Sequence, residues 1–165
     1  METKPSHIPV GYHTVTPYLI ITDAARALEF YQQAFGASEV MRLPGPDGRI
    51  MHAEIQIGDS RIMLADECPE MEARSPQSIG GTPVGVMLYL KDVDTVTTRA
   101  VALGARVLRP MQDQFYGDRT ACIVDPFGHQ WTLATHIEDV SPEEIDRRFA
   151  ALFGPKQPGV SSPTT

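Results

Sequence analysis

Phe115-Tyr116-Gly117-Asp118-Arg119, continued through Thr120–Val124 into Asp125-Pro126-Phe127-Gly128-His129-Gln130-Trp131, is the stretch on which the fold reading turns. Asp-Pro-x-Gly makes a turn, because proline presets φ at the first corner and glycine accepts φ > 0 at the exit. The flanking runs Thr120–Val124 and Trp131–Thr135 are apolar or β-branched, so the turn joins two strands of a hairpin. Tyr116, Asp118 and Arg119 enter that hairpin together, where they are placed to line the mouth of a pocket. The plainer alternative is that Arg119 pairs with Asp118 or Asp125 and pins the loop.

Outward from this hairpin the chain reads as a repeated unit. Upstream of it lie a strand over Val84–Leu90, a helix capped by Asp92 and ended by Gly104, and a strand over Arg106–Met111. The helix carries Val93, Val96, Ala100 and Leu103 on one face. The same order appears in the first half. Thr14–Thr22 reads as a strand, with Pro17 marking an edge or a bulge. Asp23 caps a helix whose apolar face is Ala27, Phe30, Tyr31, Ala34 and Phe35, and Gly36 ends it. Strands over Ser38–Leu43, Arg49–Ile57 and Ser60–Asp66 follow, joined by the turns Pro44–Gly48 and Gly58-Asp59. Gly36-Ala37 recurs as Gly104-Ala105, and Leu64-Ala65 as Leu133-Ala134, at spacings of 68 and 69 residues. The pattern is an internal duplication of a βαβββ unit in an α+β chain.

These features resemble the vicinal oxygen chelate superfamily of glyoxalases, bleomycin-resistance proteins and dioxygenases. The resemblance rests on the paired modules, the Phe30-Tyr31 to Phe35-Gly36-Ala37 helix end, and Tyr-Gly-Asp-Arg before Asp-Pro-Phe-Gly-His. His52-Ala53-Glu54 and Tyr116–Arg119 are most similar to its PhnB-like branch. The resemblance spans about Thr14 to His136. It implies the glyoxalase/bleomycin-resistance fold, two cupped mixed sheets around a pocket, with homodimerisation often completing the cup. In metal-using relatives, ligands project from the first and last strands of each module. Counting from caps and turns puts those positions at Thr16, Met63, Val86 and Thr132. Thioether, isopropyl and hydroxyl groups are poor partners for ions that prefer imidazole and carboxylate. The usual metal site is therefore expected to be absent, and no cofactor is expected; a divalent metal is left only a non-standard site.

Strand alternation then describes the cup. The Gly58-Asp59 turn pairs Ile57 with Ser60, hence Glu54 with Met63 and His52 with Ala65. His52, Glu54, Gln56 and Met63 share one face; Met51, Ala53, Ile55, Ile57, Ile62 and Leu64 share the other, under the first helix. In the second module Gln130, Thr132, Ala134 and His136 face the cup while Trp131 and Leu133 pack inward. Alternation from Thr16 adds Tyr18 to the lining, and His129 reads as a surface or capping group.

The chain has 165 residues, 42% of them hydrophobic, and a net charge of −7. This acidic balance argues against nucleic acid and anionic membranes as partners. No apolar run approaches the ~20 residues that span a bilayer. Cys68 and Cys122 make neither a disulfide framework nor a metal knuckle, and the expected compartment is cytoplasmic. Residues 1–13 read as a leader broken by Pro5, Pro9 and Gly11. The paired domain covers 14–136, with modules 14–66 and 84–136. The linker 67–83 is either a lid or a plain surface connection. Ser141-Pro142-Glu143-Glu144 opens a helix within 137–154 carrying Ile145, Phe149 and Leu152, and 155–165 reads as a disordered tail.

Two functions fit. The first is metal-independent binding of a small molecule, with Thr16, Tyr18, Met63, Tyr116, Arg119 and Thr132 as ligand-binding residues. The alternative is an enzyme of lyase, isomerase or other type. It would use His52 and Glu54 as a catalytic acid–base pair or as ligands of a shifted metal site, with His136 a further candidate.

Overall fold

A computed structural model describes residues 5–154. The tail expected to be disordered, 155–165, lies outside the described residues. The first module runs β1 (Tyr18–Ile21), α1 (Ala24–Phe35), β2 (Ser38–Pro44), β3 (Ile50–Ile57) and β4 (Ser60–Asp66). A 3-10 turn at Pro69–Met71 and the short helix α2 (Pro76–Ile79) occupy the linker. The second module runs β5 (Gly85–Tyr89), α3 (Val93–Ala102), β6 (Arg106–Asp113), β7 (Asp118–Val124) and β8 (Gln130–His136), followed by α4 (Pro142–Phe153). The sheets are ordered β1-β4-β3-β2 and β5-β8-β7-β6, each with its first strand parallel to its last. This is the duplicated βαβββ arrangement.

The helices form where local chemistry starts and stops them. The Asp23 carboxylate accepts from Arg26 N at 3.1 Å, and Gly36 exits at φ 70° with its N–H on the last turn. Asp92 does the same for α3 through Thr95 N. α1 packs on all four strands of the first sheet and on α3, which packs on β6, β7 and β8. Arg99 of α3 donates twice to the Ala34 carbonyl of α1, at 3.0 and 2.8 Å. Trp131 of β8 is fully buried against Tyr31 and Phe35 of α1, at ring separations of 5.3 and 4.9 Å. One continuous core therefore runs through both modules. Each sheet gives its apolar face to this shared helix layer and turns its other face away from it.

The Asp125 turn locks the two modules together. Its Oδ1 accepts from the backbone N–H groups of Phe127 and His129, both at 2.9 Å. Its Oδ2 accepts from the Tyr31 hydroxyl at 2.7 Å and from Trp131 Nε1 at 2.9 Å. His129, expected as a surface or capping group, is buried, with Nε2 3.1 Å from the Ile20 carbonyl of the first module. Burial first, then the Asp125 charge, push the Tyr31 hydroxyl's pKa well above its ordinary value. Gly117 is held at φ 99°, and a Cβ there would collide with the Glu138 carbonyl.

Three expectations need correction. The first strand starts at Tyr18 rather than Thr14, because Pro17 has no N–H to extend the ladder. Val86 pairs with Trp131, so it turns toward the core, and Met87 is the residue that shares a face with Thr132. Met51 turns away from the core as well. Leu43 pairs with His52 but Pro44 with Ile50, a register shift that leaves Met51 as the extra residue and buries Ile50 in its place.

Candidate functional site

β3 and β4 position the site. Their register pairs Ile57 with Ser60, Gln56 with Arg61, and Glu54 with Met63. The period-2 alternation buries Ala53, Ile55, Ile57, Ile62 and Leu64 under α1 and turns His52, Glu54, Gln56 and Met63 to the other face. Residues 5–17 form no helix or strand, yet they fold back over this face. Between them and the sheet lies a cavity of about 600 Å³, bounded by Tyr12, Thr16, Glu54 and Met63 among others. That is within the range of small-molecule sites, ~300–1,000 Å³.

Polar groups converge on Glu54 in its floor. The Tyr18 hydroxyl is 2.9 Å from His52 Nδ1, and His52 Nε2 is 3.1 Å from Glu54 Oε1. The Glu54 carboxylate accepts, so His52 Nε2 carries a proton and Tyr18, His52 and Glu54 form one hydrogen-bonded chain. Glu54 Oε2 also accepts from the Tyr12 hydroxyl and lies 3.5 Å from the Arg61 guanidinium. Arg61 in turn donates to Gln56 at 2.7 Å and stands 5.2 Å from the centre of the Tyr12 ring. The Tyr12 hydrogen bond, followed by His52 and Arg61, holds the Glu54 carboxyl below its ordinary value although it is buried. The hydrogen bond to Glu54 pushes the Tyr12 hydroxyl up, and burial does the same to Tyr18. The floor thus presents the Glu54 carboxylate, held by hydrogen-bond donors and one guanidinium.

The expected site residues divide between the two sheets. His52, Glu54, Met63, Tyr18 and Thr16 come together on or beside the first. Tyr116 and Thr132 belong to the second, Thr132 beside Met87 and Cys122, Tyr116 edge-on to Phe115. Arg119 does not line the hollow. It pairs across with Thr135, on the helix side, and forks onto Asp94 of α3 at 2.8 Å and Asp113 at 2.7 Å. His136 lies far along β8, bonded to Asp118 at 2.7 Å and Asp139 at 3.0 Å, with Tyr89 on the other Asp118 oxygen at 2.9 Å. Sequence reasoning missed Tyr12 and Arg61. The signal for Arg61 was its alternation with Met63; Tyr12 offered none, since loop segments carry no period.

The first and last strands of the modules place Tyr18 beside Met63 and Met87 beside Thr132. Phenol, thioether and hydroxyl groups do not match the imidazole and carboxylate donors that divalent ions prefer. No group of three or more His, Cys, Asp or Glu able to hold a metal occurs among the described residues. No helix among them is long and apolar enough to cross a membrane.

A family model for the glyoxalase/bleomycin resistance protein/dioxygenase superfamily matches residues 11–133. A Mycobacterium bovis protein described as uncharacterized protein Mb0911c is 42% identical over 140 residues, covering 83% of this chain and 92% of its own. The crystal structure of TioX from Micromonospora sp. ML1 superposes with a TM-score of 0.58 at 26% identity, covering 81% of this chain and all of that one. The PhnB protein of Bacillus cereus superposes with a TM-score of 0.59 at 18% identity, covering 74% of this chain and 99% of that one.

Proposed function

The chain belongs to the glyoxalase/bleomycin resistance protein/dioxygenase superfamily, and from that premise we propose that it binds a small organic molecule in the hollow over its first sheet. The observation that carries this reading is the cavity of about 600 Å³ floored by Met63 and Glu54, an apolar surface with one charged acceptor. Tyr18 and His52 orient that acceptor, and Thr16 borders the opening. The donor chemistry of Tyr18, Met63, Met87 and Thr132 favours binding without the superfamily's usual metal. Within the superfamily we assign the chain to the PhnB-like branch, on its His-Ala-Glu and Tyr-Gly-Asp-Arg stretches; the compartment we assign is the cytoplasm.

We also read the protein as a homodimer. Both sheets turn half-exposed apolar side chains away from the core: Tyr18, Leu43 and Met51 on the first, Met87 and Tyr89 on the second. A second copy laid over them would bring Tyr116 and Thr132 to a cup that one chain leaves open. Light scattering at the eluted peak tests this, with twice the chain mass expected and the single-chain mass contradicting it.

The binding site is tested by a thermal-shift screen against a fragment library. Met63 is half-buried, so Met63→Trp fills the hollow without disturbing the core. Fragments that stabilise the native protein should lose their effect in Met63→Trp; hits that persist unchanged would refute the site. The hydrogen-bonded Tyr18–His52–Glu54 chain favours a second reading, acid–base catalysis with Glu54 as base. Glu54→Gln distinguishes the two: catalysis loses turnover, whereas binding loses only part of its affinity.

A further inference from the structure

Tyr12 is held in the hollow as a ligand would be. Its hydroxyl donates to Glu54 and its ring faces the Arg61 guanidinium at 5.2 Å. The turn presenting it is built for close approach. Tyr12 N bonds back to the Pro9 carbonyl at 3.2 Å, and Gly11 sits at φ 83° where a Cβ would come 3.1 Å from Arg61. The other side-chain hydrogen bonds of residues 5–16 among those described are local, Ile8 to Ser6 and Thr16 to His13. Apart from Met63 N to the Pro17 carbonyl, where the segment enters β1, the Tyr12 hydroxyl is the hydrogen bond that ties it to the sheet. A segment fastened at one aromatic hydroxyl can be displaced by a molecule offering the same group.

We propose that Tyr12 is a built-in occupant of the hollow, and that the ligand displacing it is a phenol, its ring taking the Arg61 face and its hydroxyl donating to Glu54. This deepens the binding reading above and rests on it. The recognition is specific in both parts. An ionised carboxylate accepts strongly from a neutral phenol and repels a phenolate or carboxylate, while a guanidinium over a ring favours aromatic over aliphatic alcohols. Occupancy of the Glu54 and Arg61 positions by Tyr12 lowers the apparent affinity in proportion to the fraction of time those groups are free. A tether of this length gives an effective concentration of order mM, so for a phenol whose own Kd is ~0.1 mM freeing the site should raise the apparent affinity about tenfold.

The test uses p-cresol, the free counterpart of the tyrosine side chain, titrated into the full chain by calorimetry. Tyr12→Ala should bind p-cresol about tenfold more tightly than the native chain, and Tyr12→Phe, which keeps the ring but lacks the tie, should fall between them. Toluene, without the hydroxyl, should bind Tyr12→Ala at least about tenfold more weakly than p-cresol, and Glu54→Gln in that background should erase most of the difference. Circular dichroism confirms that each variant is folded. Equal p-cresol affinity in native and Tyr12→Ala protein overturns the built-in occupant. Equal affinity for toluene and p-cresol overturns the phenol. Either result leaves the hollow itself standing if other fragments still respond to Met63→Trp; if none does, it is the binding reading that has failed.

Discussion

Asp125→Ala removes a carboxylate that serves four donors at once. Tyr31 and Trp131 are fully buried, and their O–H and N–H would point into the vacated space with no partner. Each such orphan costs about 1–3 kcal/mol. The backbone N–H groups of Phe127 and His129 lose their acceptor as well, although a water entering the space would recover part of that. The sum is roughly 3–6 kcal/mol, a large share of the ~5–15 kcal/mol that holds an ordinary domain together. Urea titration followed by circular dichroism should show the midpoint falling with little change in slope, and the melting temperature should drop by ~10 °C or more. Tyr31→Phe alone should cost only about 1–2 kcal/mol, because the carboxylate keeps three donors. In the Asp125→Ala background the same change should cost almost nothing, since the orphaned hydroxyl goes with it. An Asp125→Ala cost under about 1 kcal/mol, or strict additivity of the two changes, would refute the turn as the joint between modules.

Gly117→Ala should destabilise by more than about 1 kcal/mol in the same titration, since it needs φ 99° and meets the Glu138 carbonyl. Arg148→Ala cuts the contacts of α4 to Glu138 and to the Phe115 carbonyl; hydrogen exchange should speed up across α4 while the global midpoint moves by less than ~1 kcal/mol. Asp118 first, then Asp139, raise the His136 pKa above 6.5. Its contribution is therefore present in full below pH 6.5 and lost as pH rises through the raised value, so His136→Gln should flatten the melting temperature across that rise. Elemental analysis of protein purified without chelator should find zinc, nickel, manganese and iron each far below one per chain, and near-stoichiometric metal lost on His52→Ala would favour the shifted-site enzyme instead.

What was legible in the sequence was what short-range chemistry decides. Asp23 and Asp92 cap their helices, Gly36 ends one, and the two-residue Gly58-Asp59 turn fixes the register that puts His52, Glu54 and Met63 on one face. Errors arose where a distant element intervened. Met51 changes faces because of an irregularity in its pairing with β2, which alternation along β3 alone does not reveal. Arg119 finds Asp94, 25 residues away on α3, rather than its neighbours in the motif. Asp125 read as a turn residue or a partner of Arg119; its partner, the Tyr31 hydroxyl, is 94 residues away. Tyr12 reaches Glu54 across 42 residues of chain from a segment with no periodic structure, which is why the residue occupying the hollow went unseen.

We read ligands as entering over Met63 and Glu54 of the first sheet, without a metal. The most direct measurement is a methionine-methyl NMR titration of chelator-treated protein with a stabilising fragment. A saturable shift of the Met63 methyl is expected, with Met111, partly buried and packed against the core, unmoved. A silent Met63 alongside a saturable shift elsewhere, or a Met63 response that appears only after metal is restored, would contradict it.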